Sequence, residues 1–144
     1  MLDLSKNNFS EIAEAGYEFQ LRLPTEELTD AFITVRGDHS KTVKAFNRKK
    51  FTEMQQKQKA NKRRGRDEDD FTIEEGEDLA VESAIVRIIS WRNISENGKE
   101  VAFNKENADR ILREHPWIRD QVMKEAGEVL NFRPEWFRHT IRIR

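Results

Sequence analysis

Asp38, His39 and Ser40 set the three residue types of a hydrolytic triad side by side. Nucleophilic catalysis needs the base within hydrogen-bond reach of the nucleophile and a third group orienting that base, whereas consecutive side chains diverge. The trio therefore reads as a polar turn in which Asp38 or Ser40 caps a following helix through a short oxygen-bearing side chain. His39, His115 and His139 lie far apart and match no HExxH-type metal spacing; His115, before Pro116, reads as a boundary between helices. The acidic run Asp67-Glu68-Asp69-Asp70 could attract a divalent cation. The calcium-loop pattern, however, asks for a glycine at its sixth position and a distal bidentate glutamate, and Phe71 stands where a ligand is needed. Gly98 and Gly127 belong to no phosphate-cradling motif. The expectation is a chain that is not an enzyme, with no cofactor and no metal site.

Two groups of residues suit binding better than chemistry. The run Lys57 to Arg66, with Lys62, Arg63 and Arg64 at its centre, is the strongest argument for nucleic acid, because clustered cations release counterions from phosphate. It lacks interleaved aromatics for base stacking. From Lys41 to Arg66 there are 11 Lys/Arg against the single Glu53, and Asp67 to Glu82 then holds 9 Asp/Glu and no base. Those acids would repel a phosphate backbone, so an internally neutralised helical arm is the favoured reading. The second group is aromatic. Trp91 and Trp117 read as core, while Phe132, Trp136 and Phe137, beside an arginine-rich end, read as partner-facing rings, since Trp and Arg are favoured interface anchors. Phe132, Trp136, Phe137, Lys62, Arg63 and Arg64 are the candidate protein-binding residues.

Composition agrees with a binding role. Hydrophobic residues make up 36% and charged residues 37% of 144 positions, against a usual ~45% and ~25%. The core is then small, or some apolar surface is shared with a partner. A net charge of −1 argues against a generic polyanion binder. The absence of cysteine excludes disulfides and thiolate metal sites and fits a reducing, cytoplasmic compartment. No apolar run approaches the ~18 residues of a membrane span, and the start MLDLSKNNFSEI lacks the features of a signal peptide. Length fits one domain, 1–144.

The elements that must position these groups follow from pattern. Tyr17, Phe19, Leu21 and Leu23 alternate with polar residues up to Pro24, and Ile33 and Val35 suit a second strand, so 17–37 forms a β-hairpin closed by Gly37. A helix follows with Val43, Phe46, Phe51 and Met54 within about 140° of its circumference. After Met54 the apolar pattern stops, leaving 55–78 as a charged centre. The segment 40–92 is expected to form a long helical hairpin bending near Gly65, its basic arm lying along its acidic one. Ala84 to Trp91 is greasy on nearly all sides and suits a buried strand as well as a buried helix; continuity with the Glu-rich stretch before it favours helix. Glu96-Asn97-Gly98-Lys99 makes a turn, Asn104 opens a helix carrying Ala108, Ile111 and Leu112, and Pro116 opens another carrying Ile118, Val122, Ala126 and Val129. Residues 133–144 read as a basic tail. The fold class is mainly α with a small N-terminal β-hairpin (α+β), with the long charged helical hairpin and a C-terminal bundle of short helices.

The order of motifs resembles the tail assembly chaperones of long-tailed bacteriophages or prophages. The resemblance rests on Glu18-Phe19-Gln20-Leu21-Arg22-Leu23-Pro24 and Ile33-Thr34-Val35-Arg36-Gly37-Asp38-His39-Ser40, with a charged helix after them. It continues through Trp91-Arg92-Asn93-Ile94, Asn97-Gly98-Lys99, Phe103-Asn104-Lys105-Glu106-Asn107 and Trp117-Ile118-Arg119-Asp120-Gln121-Val122, closing on Asn131-Phe132. It implies a mainly helical, non-catalytic protein that self-associates, coats the tape measure protein and delivers tail tube subunits in the host cytoplasm. Such a protein leaves before the particle is finished. The charged centre has no counterpart among those motifs. The alternatives are a small nucleic-acid-binding regulator working through Lys57 to Arg66 and a structural subunit retained in the virion.

Overall fold

Asn8 starts the first helix by accepting from the amide of Glu11, and the helix α1, Phe9–Ala15, ends at Gly16. Gly16 has φ +95, a left-handed backbone that favours glycine, and it turns the chain directly into a strand. The computed structural model describes residues 1–65 and 72–134. Strands β1 (Tyr17–Arg22) and β2 (Leu28–Val35) pair antiparallel as expected, with Tyr17 opposite Val35 and Phe19 opposite Ile33. Their alternation sends Phe19, Leu21, Ala31, Ile33 and Val35 into the core and leaves Glu18, Gln20 and Arg22 exposed.

The long helical hairpin is shorter than the sequence suggests. Helix α2 spans Lys41–Arg63 and α3 spans Ile73–Arg87, but the chain then becomes strand β3, Ile88–Arg92. β3 pairs with the far edge of β2, Ile88 opposite Val35 and Trp91 opposite Ile33, giving a three-stranded sheet in the order β1-β2-β3. The expectation of helix through Trp91 is thus corrected. Ile88 and Ile89 are β-branched, and the open edge of β2 offers their backbone a ladder. Tertiary pairing overrides helical continuity at that point.

Beyond the sheet, Ser95–Glu96 (β4) and Lys99–Glu100 (β5) form a minimal hairpin. Asn97 and Gly98 both have positive φ, 51 and 78, as a two-residue hairpin loop requires. The indole of Trp91 donates to the Val101 carbonyl at 2.8 Å and meets Phe103 edge to face. Asn104 caps α4 (Lys105–Glu114), and Pro116 occupies the first turn of α5 (Pro116–Gly127). These two helices bury Ala108, Ile111, Leu112, Ile118, Val122 and Ala126. Val129, expected on the same stripe, lies in a 3-10 turn (Val129–Asn131) and is exposed, because α5 ends at Gly127.

Phe132 is also corrected. It is 5% exposed and meets Tyr17 edge to face. Gly37 makes that possible, since a side-chain carbon there would lie 2.9 Å from Ala13 and 3.1 Å from the Phe132 ring. Phe132 is therefore a wedge in the core at the junction of α1 and β2, where its own chain covers it. Trp136, Phe137 and His139, with the rest of the expected basic tail from residue 135, lie outside the described residues, as do Asp67-Glu68-Asp69-Asp70. No helix among the described residues is long and apolar enough to cross a membrane.

Candidate protein-binding site on the helical arm

Ser40 is fully buried and its hydroxyl accepts from the Val43 amide at 3.2 Å, fixing the start of α2. Glu14 on α1 accepts from both the amide and the hydroxyl of Thr42, at 3.0 and 2.6 Å, and from Arg36 at 2.8 Å. The Thr42 hydroxyl chiefly, against some burial and with help from Arg36, holds the Glu14 carboxyl below the usual carboxylate range. The root of α3 is fixed from the other end. Arg87 is buried, its guanidinium donating to Asp38 at 2.8 Å and to the Ser83 carbonyl at 2.7 Å. Arg36 donates to the Val86 carbonyl at 2.8 Å. Both helices thus leave the body from a tightly bonded base.

Away from that base the packing changes character. α2 is 23 residues long and buries Val43 alone. α3 carries Thr72 as its cap and Glu74 and Glu75 in its first turn, where carboxylates oppose the positive end of the helix dipole. The two helices are joined by ion pairs, Lys50 to Glu82 at 2.5 Å and Lys57 to Glu75. The reversed order of those pairs shows that the arms run antiparallel, as the charge segregation implied. Glu82, with a smaller share from Glu53, raises the pKa of Lys50 against some burial. Asp78 on α3 binds Arg113 of α4 at 2.7 Å, so the acidic arm is also tied to the body.

Between the arms lies a groove of about 190 Å³ edged by Met54 and Leu79 and rimmed by these ion pairs. That is below the ~300–1,000 Å³ of a typical small-molecule site. The apolar stripe of α2 is covered only at its root: Val43 is buried and Phe46 half-buried, whereas Phe51 is 63% and Met54 40% exposed. Ile73, at the start of α3, is 92% exposed. These side chains leave apolar surface on the outside of the arm.

Lys62 and Arg63 close the last turn of α2, and Arg64 is its C-cap, its amide donating to the Ala60 and Asn61 carbonyls. All three are exposed and sit on the same arm as Phe51 and Met54; Phe132 is in the core, away from them. The Asp38-His39-Ser40 trio diverges as expected, Asp38 to Arg87 and Ser40 to the helix cap, with His39 exposed. Glu96, Glu114 and His115 bring potential ligand atoms within 4.8 Å of one another, but Arg110 already holds the Glu96 carboxylate at 2.5 Å. The exposure of Phe51 and Met54 is not legible in the sequence, because an apolar stripe looks the same whether or not its own chain covers it.

Residues 41–140 match the model of the family described as YdaY prophage protein. The chain belongs to the YdaY prophage protein family. No curated protein and no solved structure matches. The family match runs from the first residue of α2 through β3, α4 and α5, so the arm that carries the exposed apolar residues lies inside it. This is a phage-derived protein.

Proposed function

We propose that the chain is a tail assembly chaperone of a long-tailed phage or prophage, non-catalytic, binding the tape measure and tail tube proteins in the host cytoplasm. It self-associates and leaves before the particle is complete. The observation that carries the proposal is α2: a 23-residue helix that buries one side chain and keeps Phe51 and Met54 in solvent. Membership in a prophage family supports a phage setting, and the motif series in residues 17–132 resembles that of such chaperones. A protein that binds and then releases needs a moderate contact surface with a few apolar anchors on a charge-rich body. The arm fits that description.

The test is co-expression with the tape measure and tube proteins encoded beside it, followed by affinity capture and by analysis of purified particles. The proposal expects capture of at least one of the two proteins and absence from finished particles. Capture of neither would overturn it. Stoichiometric presence in the particle would instead make the chain a structural subunit.

A further inference from the structure

The cations of α2 fall on two sides of the helix. Lys50 and Lys57 face α3 and are consumed by Glu53, Glu75 and Glu82. Lys41, Lys44, Arg48, Lys59, Lys62 and Arg63 are all exposed, and none makes an ion pair among the described residues; the remaining cation, Lys49, is also exposed and lies about 40° round the helix beyond Arg63. At ~100° per residue these six fall within about 100° of the circumference, and at ~1.5 Å per residue they run along about 33 Å of helix. The single acid of α2, Glu53, lies on the opposite, inner side with Lys50. Among the described residues, internal neutralisation by the acidic arm, the expected fate of this charge, thus reaches only the inner side.

Phe51 borders this stripe, about 20° round the helix from both Lys44 and Lys62, and Met54 lies about 60° further toward the groove. The surface is therefore a cationic band with an apolar edge. We propose that it docks an acidic amphipathic helix of a protein partner, whose apolar face covers Phe51 and Met54 while its carboxylates meet Lys44, Arg48 and Lys62. This rests on the reading of the chain as a protein-binding chaperone and names the chemistry that its arm recognises. A second copy of α2 would set like charge against like, and on a second α3 Glu75, Asp78 and Glu82 are already paired, which leaves Glu74 and Glu77 to face six cations and offers Phe51 no apolar counterpart beyond Ile73. A phosphate backbone would match the cations but leave Phe51 and Met54 uncovered. An acidic helix satisfies both the charge and the apolar edge, in the mode by which helices lay an apolar face on a partner.

The experiment uses the full chain and a labelled synthetic helical peptide of ~22 residues, long enough to span the stripe, with leucine along one face and glutamate flanking it. Fluorescence anisotropy compares it with a scrambled peptide of the same composition, a version with lysine for glutamate, and a DNA duplex of similar length. The patterned peptide should bind at least ~10-fold tighter than any of the others, a difference of ~1.4 kcal/mol. Phe51→Ser and the double variant Lys44→Glu with Lys62→Glu should each weaken it ~10-fold with unchanged circular dichroism. Equal or tighter binding of the duplex would make this a nucleic-acid surface and overturn the proposal. So would binding that ignores Phe51→Ser, or no binding of any probe. If tape measure or tube protein is captured equally well by wild type and both variants, the docking surface is wrong and the chaperone reading stands. If neither is captured but the peptide binds as described, the surface stands and the chaperone reading falls.

Discussion

Helices α4 and α2 deploy their apolar residues differently. α4 spans ten residues and buries Ala108, Ile111 and Leu112; α2 spans 23 and buries Val43. Both helices have a capped start and cations in the last turn, so their ends do not distinguish them. α4 is held by what it covers, against α3 and α5. α2 is held at its root by Ser40 and Glu14 and along its length by ion pairs to α3, which contribute ~0–1 kcal/mol each where exposed. The first arrangement makes a core and the second makes a platform. Residues of equal hydrophobicity should then have opposite consequences when removed from the two helices.

The largest contrast is expected from Leu112→Ala, which opens a cavity at a fully buried position and should cost ~2–5 kcal/mol. Phe51→Ala, at a 63% exposed position, should change stability by no more than ~0.5 kcal/mol. Urea unfolding of both variants checks this; a similar loss for the two would show that α2 packs as α4 does. Ser40→Ala comes next, sharpening the claim that the root holds the arm. It removes a buried cap and should cost ~0.5–2 kcal/mol, with helical signal lost preferentially from α2 in hydrogen exchange.

How much of this division shows in the sequence depends on how local its causes are. Ser40, Asn104, Pro116 and the Asn97-Gly98 turn mark their elements by side-chain chemistry within a few residues, and all four were legible. β1 and β2 were legible through alternation. β3 was not, because a short apolar run reads alike as strand or helix until the free edge of β2 is known. α1 escaped because its seven residues are too few for Phe9, Ile12 and Ala13 to show a helical period, although Asn8 marks its start. Phe132 reads as a surface ring because the segment after it is rich in arginine, whereas its burial depends on Gly37, distant in the chain. The outward aim of Phe51 was invisible for the same kind of reason: the pattern shows that α2 is amphipathic and does not show what covers it. Of the arm's surface, the exposed cations Lys62, Arg63 and Arg64 stand out in the sequence, whereas the exposure of Phe51 and Met54 does not.

The smallest effect concerns pH. The Glu14 carboxyl is lowered in the folded state, so its contribution is fully present above the ordinary carboxylate range. It is lost as pH falls through the lowered folded value. Glu14→Gln should therefore flatten the acid limb of the stability profile and leave the alkaline limb unchanged. An acid limb of unaltered slope would mean that Glu14 does not anchor α2 to α1.

The central claim is that the uncovered face of α2 is where the protein meets its partner. Capture of the tape measure and tube proteins by the wild-type chain and by the double variant Phe51→Ser, Met54→Ser tests it most directly, with thermal unfolding as the control for folding. The expected result is at least ~10-fold weaker capture at an unchanged melting temperature. Undiminished capture by a fully folded variant would contradict the claim.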